Sequence, residues 1–236
     1  MAALARARAA CGLRSPLVAE VHNQLGMLGK ATGDFTTARR HYQRALEIIR
    51  RHPHHDSLEL ADLYHNLGGL EHVRGRFVAG ELLARRAVTL RARRHGTDAT
   101  STWLDRTAHA ALLDGLARSD ASVATYRAAL VRFRRRLGPG HHEVAVTLNN
   151  LGCALAAQGQ TREALRHLRR SLVLKERRFG PAHVEVATAL NNLATALRDV
   201  GRRSEARALF RRALAIFRRR LGDRHPSTRT CRAHLA

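Results

Sequence analysis

Aromatic side chains are scarce in this chain, 4% of 236 residues, and Trp103 is the single tryptophan. A sandwich or barrel of strands leans on aromatic and β-branched residues. Here Ala, Leu and Arg dominate instead, the strongest helix formers, so the class is all-α. Proline is equally rare: Pro16, Pro53, Pro139, Pro181 and Pro226. None interrupts an apolar helical run, and each can punctuate a helix boundary. The three cysteines, Cys11, Cys153 and Cys231, are odd in number, far apart and without CxxC spacing. That excludes a disulfide framework and a cysteine zinc site, and it fits a reducing, cytoplasmic compartment. No apolar run approaches the roughly 20 residues of a membrane span. The stretch from Met1 to Cys11 is broken by Arg6 and Arg8 and lacks the apolar centre of a secretion signal.

Lysine is nearly absent. Only Lys30 and Lys175 occur among 42 basic residues, and the net charge is +23. Two sources are open for that charge. One is an acidic partner such as nucleic acid or an anionic surface. The other is a coding bias that writes arginine wherever a solvated helix needs a cation. Binding does not require the loss of lysine, which favours the second.

Internal repetition is abundant. Glu143-Val-Ala-Val-Thr-Leu-Asn-Asn-Leu-Gly152 returns 42 residues later as Glu185-Val-Ala-Thr-Ala-Leu-Asn-Asn-Leu-Ala194. The register runs without insertion: Gly33, Gly75, Ala117, Gly159 and Gly201 share one column. Gly26, Gly68, Ala110, Gly152 and Ala194 share a second, and Tyr42, Ala84, Tyr126, Leu168 and Phe210 a third. Such a period predicts stacked supersecondary units. Within a unit, Leu148, Leu151, Gly152 and Leu155 make one apolar helical stripe, which Gly159 ends. A second stripe runs through Ala164, Leu168, Ser171 and Leu172. The small residue at Gly152 lets the first helix lie close to the second. Phe179-Gly180-Pro181 then supplies a C-cap and a stop, repeated at Leu137-Gly138-Pro139 and Leu221-Gly222-Asp223.

Small residues at Gly152 and Ala164, followed by Leu168 and Ser171, resemble the tetratricopeptide repeat in its longer, 42-residue form. The phrases Val-Ala-Thr-Ala-Leu-Asn-Asn-Leu-Ala and Arg-Arg-Ala-Leu-Ala-Ile-Phe are similar to those of kinesin light chains and of many bacterial repeat proteins. The resemblance implies an α-solenoid, a right-handed superhelix of helix–turn–helix units. The frame places a preceding tail at 1–15 and repeats at 16–56, 57–98, 99–140, 141–182 and 183–224. A further unit opens at 225–236. The third repeat is degenerate, since Arg106 and His109 occupy columns held by Leu148 and Leu151. Its first helix, roughly Thr102 to Leu116, is expected to pack least well, with Trp103 as local packing rather than a groove anchor. No polar capping helix is visible, so the expectation is a piece of a longer array or ends covered by self-association.

The resemblance also implies a concave face lined by the first helix of each unit. Its inward columns carry Asn23, His65, Thr107, Asn149 and Asn191, and beside them Gln24, Asn66, Ala108, Asn150 and Asn192. An asparagine amide offers two donors and an acceptor, enough to pair with a peptide bond. The row therefore suits a protein partner or an extended peptide. The competing account is that Asn149 and Asn191 bond between neighbouring helices. A clamp for a C-terminal carboxylate is unsupported: inward cations are only Lys30 and Arg198, against Glu20, Asp62, Asp114 and Asp199. Most arginine clusters fall on or after the second helices, where they complement the helix dipole. A nucleic-acid surface is the alternative function, though it lacks interleaved aromatics for base stacking. The sensor arm of a larger regulator is a third.

No phosphate loop, GxSxG or HExxH occurs, so neither an enzyme nor a cofactor is expected. His52-Pro-His54-His55-Asp56 has metal-ligating residues but reads as an inter-repeat loop, and no metal site is assigned. His141, His183 and His225 repeat in a loop column, which argues for packing or capping. Cys153 has no base near it in sequence and is not read as a nucleophile.

Overall fold

A computed structural model describes residues 2–13, 15–51 and 58–235. All of its regular elements are α-helices. The first helices of the units are α2 (Pro16–Thr32), α4 (Leu58–Val73), α6 (Thr100–Gly115), α8 (His142–Ala157), α10 (Val184–Asp199) and α12 (Pro226–Ala233). The second helices are α3 (Phe35–Ile49), α5 (Phe77–His95), α7 (Ser119–Leu137), α9 (Thr161–Phe179) and α11 (Arg203–Leu221), with α1 (Ala2–Cys11) ahead of them. Helix starts at Phe77, Ser119, Thr161 and Arg203, and at His142, Val184 and Pro226, keep the 42-residue interval. The fold is an α-solenoid of tandem helix pairs.

The chain divides into two compact units, residues 1–116 and 117–236, inside the repeat that the sequence marks as degenerate. In the first unit Ala38, Tyr42 and Ala45 are fully buried on one face of α3, against Val18, Leu60 and Leu67. In the second, Leu168, Leu190, Phe210 and Ala213 form the corresponding core. Each large side chain so buried contributes about 1.5–3 kcal/mol. Ser171 replaces alanine in its column, and its hydroxyl donates to the Ala145 carbonyl at 2.7 Å. A buried hydroxyl with that partner carries little penalty.

The small-residue column acts as the sequence indicates. A Cβ on Gly152 would stand 2.6 Å from Leu168 Cγ and 3.1 Å from the Ala164 carbonyl. Helices α8 and α9 can approach this closely only over glycine. The turn column shows one departure. Gly75, Gly159 and Gly201 take φ of 70°, 75° and 81°, and Ala117 is held at 57° in the same column. A side chain in that region is strained.

Helix ends follow local rules. The Nδ1 atoms of His141, His183 and His225 accept from the backbone N–H of Glu143, Glu185 and Ser227, at 3.2, 3.2 and 3.1 Å. The repeating histidine is therefore an N-cap, satisfying a donor that the helix leaves open. Gly138, Gly180 and Gly222 close α7, α9 and α11 by donating to Arg134, Glu176 and Arg218. Arginines 134–136 and 218–220 fill the last turns and are exposed, as the dipole argument requires.

Helix α6 begins two residues before its expected start and ends one before its expected end. Trp103 is 7% exposed and carries the Arg106 guanidinium 4.5 Å over its ring, so it packs locally. His109 turns its Nε2 to Glu81, 3.0 Å away, in place of an apolar contact.

Candidate partner-binding face

The polar columns of the first helices lie where one helix follows the next, and they bond to one another by a single rule. The Nδ2 of Asn66 donates to Oδ1 of Asn23 at 2.9 Å, and Nδ2 of Asn192 to Oδ1 of Asn149 at 3.1 Å. His234 Nδ1 meets Asn191 Oδ1 at 3.3 Å. Each pair is 43 residues apart, one repeat plus one residue. Asn149 also donates to Oδ1 of Asn150 at 3.3 Å. The bonds between neighbouring helices, the competing account for Asn149 and Asn191, are present.

These bonds do not exhaust the amides. Asn149 is buried, while Asn23, Asn66, Asn150, Asn191 and Asn192 are half-buried and Gln24 is exposed. In the second unit the bonds to Asn149 use neither the Nδ2 of Asn150 nor the Oδ1 of Asn192, a donor and an acceptor on neighbouring first helices. In the first unit, a cavity of about 440 Å³ opens beside Asn23 and Gln24. Leu17 and Leu63 line it together with Glu20, Glu59 and Asp62, so this part of the face is not basic. Lys30 is half-buried, and burial lowers the proton affinity of its amine. Arg198 is paired with Asp199 at 3.0 Å.

His65 and Thr107 leave the amide pattern. Column neighbour Ala108 offers His65 no partner, and its Nδ1 meets Asp105 Oδ1 at 2.7 Å. Thr107 is buried and donates to the Leu104 carbonyl of its own helix. Asp105, 1% exposed, is the centre of a cluster that the sequence reading missed. Arg91 Nε donates to its Oδ2 and Arg91 Nη2 to Asp62 Oδ1, both at 2.7 Å. Burial works against the Arg91 charge, but the two carboxylates outweigh it and hold the guanidinium above its ordinary range. A signal existed. Arg91 and Lys175 are charged members of a column otherwise filled by Ile49, Phe133 and Phe217. Lys175 is likewise buried and donates to Glu185 at 2.7 Å.

Among the described residues, no three or more His, Cys, Asp and Glu are grouped to hold a metal. The His52–Asp56 segment lies outside the described residues. Cys11 and Cys153 are exposed and outside any disulfide, and Cys231 is buried, its thiol pushed up to about 11 by desolvation. Among the described residues no helix is long and apolar enough to cross a membrane.

Three tetratricopeptide repeat family profiles match residues 19–52, 109–177 and 186–227, together more than half of the chain. No curated protein sequence matches significantly. Among solved structures, BtubC (BKLC) from P. vanneervenii is 22% identical, with a TM-score of 0.66 over 94% of this chain and 88% of that one. A putative kinesin light chain of nearly identical repeats from Podosopora anserina is 17% identical, with a TM-score of 0.61 over 87% and 97%. The Rap conjugation gene regulator of plasmid pLS20, in complex with the Phr* peptide, is 15% identical with a TM-score of 0.75. That match covers 92% of this chain but 57% of the regulator. Family profiles, helix order and column chemistry agree: the chain belongs to the tetratricopeptide repeat proteins.

Proposed function

We propose that this protein is a non-catalytic scaffold that holds an extended segment of a partner protein along the first helices of its repeats. The observation that carries the reading is the amide row. Its inter-helix bonds fix the geometry of Asn23, Asn66, Asn149, Asn150, Asn191 and Asn192 and leave polar groups at their outer edge. A peptide backbone supplies one donor and one acceptor per residue, the complement of such a row. Side chains held by their neighbours lose less freedom when a partner arrives. The pLS20 regulator, a Rap protein, is similar in fold and holds a peptide. Three cysteines outside any disulfide support a reducing, cytoplasmic setting.

The test is a selection of unstructured peptides on the full chain, followed by affinity measurement at low and high salt. Gln24→Ala with Asn150→Ala is expected to weaken capture at least about tenfold, the loss of one or two hydrogen bonds, with the melting temperature retained. Undiminished capture in that variant would overturn the groove. Capture that falls steeply with salt, and is lost on charge reversal at Arg134, Arg135 and Arg136, would assign function to the arginine surface instead.

A further inference from the structure

Repeat proteins reuse the same positions, so a position where one side chain departs from its column is informative. In the second unit, Glu176 near the end of α9 pairs with Arg212 of α11 at 2.6 Å. Three repeats earlier the same two columns hold Arg50, at the end of α3, and Arg86 of α5. Arg134 and Arg170 hold the same two columns between them, so a pair of guanidiniums is not itself unusual there; the ring beside Arg50 and Arg86 is. Leu190 in the column between them becomes Tyr64. Both guanidiniums turn to that ring, their carbons 5.8 and 5.7 Å from its centroid, and Arg50 Nη2 donates to the Tyr64 hydroxyl at 2.9 Å.

Around this ring lies a cavity of about 560 Å³. Its rim adds Arg85 and Arg93, about two turns apart on α5, and its floor is Leu60, Tyr64 and Leu90. The floor residues are buried and the four arginines exposed. None of the four has a carboxylate partner among the described residues, whereas Arg127 and Arg212 at matching columns pair with Glu163 and Glu176. Like charges gathered on one rim raise the local potential and favour an anion. A guanidinium fork matches the oxygens of a phosphate and stacks on flat rings. The volume falls within the ~300–1,000 Å³ of small-ligand sites.

We propose that the pocket between α3, α4 and α5 binds a phosphate monoester carried on a flat, apolar body, with Arg50 and Arg86 on the phosphate and the Leu60–Leu90 floor under the ring. The site shares no residue with the amide row and stands whether or not that row binds peptide. Calorimetric titration of the full chain with phenyl phosphate, inorganic phosphate and benzyl alcohol tests it. Phenyl phosphate is expected to bind at least about tenfold more tightly than inorganic phosphate, about 1.4 kcal/mol, and benzyl alcohol not at all. Arg50→Glu installs the residue that Glu176 supplies at the same column, where it pairs with Arg212, so Arg86 gains a partner and the fold is retained; binding should fall at least about tenfold. Tyr64→Leu should bring phenyl phosphate down to the level of inorganic phosphate. Arg219→Gln, at the Arg93 column of the second unit, should change nothing. Equal losses in Arg50→Glu and Arg219→Gln would reduce the effect to net charge and overturn the site, as would no binding of phenyl phosphate at millimolar concentration. O-phosphotyrosine and a mononucleotide present the same chemistry from two sources, and the tighter of them names the source; failure of both overturns the proposal.

Discussion

Asn192 donates its side-chain amide to Oδ1 of Asn149, one repeat and one residue earlier, and Asn149 in turn donates to Asn150. The buried member of this chain is Asn149. Its replacement removes the acceptor of Asn192 and the donor to Asn150 together. Asn149→Ala is therefore expected to destabilise the protein by about 1–2 kcal/mol, and Asn150→Ala, at the half-buried end, by less than half as much. Urea denaturation of the two variants measures the difference. Equal losses would mean that the row is not held together through Asn149.

The small-residue column makes opposite predictions at two of its glycines. A methyl on Gly68 would meet the Gly80 carbonyl at 3.4 Å and Ala84 at 3.5 Å, ordinary contact distances. Gly68→Ala then gains helix propensity and should stabilise by about 0.5–1 kcal/mol. A methyl on Gly26 would stand 2.5 Å from two ring carbons of Tyr42, which is fully buried and cannot swing aside. Gly26→Ala should destabilise by about 1–3 kcal/mol. Equilibrium unfolding decides both, and the signs must differ.

These contrasts show which features are legible in the sequence. Helix order and the closeness of Gly152 to Leu168 follow from the spacing of apolar and small residues, which depends on local geometry alone. The capping role of His183 follows from its place two residues before Glu185. The partners of the amide row are less legible, because a 43-residue offset appears only when successive helices are laid side by side. Arg91 and Asp105 were missed because an arginine among forty draws no notice. What marks it is the column, apolar at Ile49, Phe133 and Phe217, rather than the residue itself. The setting of Arg50 and Arg86 was hidden for the same reason, among forty arginines, and Tyr64 in a column held by Leu148 and Leu190 is what marks it.

Ala117 holds φ of 57° in a column where Gly75 and Gly159 stand at 70° and 75°. The side chain adds strain that glycine avoids, partly offset by the greater freedom glycine has when unfolded. Ala117→Gly is expected to raise stability by about 0.5–1 kcal/mol, seen as a higher melting temperature, and Gly159→Ala to lower it by about 1 kcal/mol. No gain at Ala117 would show that its turn carries no strain.

Lys175 and Glu185 set the acid limit of the second unit. Lys175 is 3% exposed and its ammonium lies 2.7 Å from Glu185. Burial works to raise the proton affinity of Glu185, but the Lys175 charge and hydrogen bond outweigh it and hold the carboxyl below its ordinary 4.5. A carboxyl depressed in the folded state contributes stability that is complete above the unfolded value and is lost as pH falls through the lower folded value. Stability should therefore decline below about pH 4.5, and Glu185→Gln should flatten that part of the profile. At neutral pH the same variant leaves a buried ammonium without its counter-charge and should cost about 2 kcal/mol. Lys175→Met added to Glu185→Gln removes the orphan and should recover most of the loss, since apolar replacement of a buried pair is close to neutral. Denaturation of the wild type and both variants from pH 3 to 7 tests the pair, and a wild-type slope that persists in Glu185→Gln would assign the acid limit to other carboxylates.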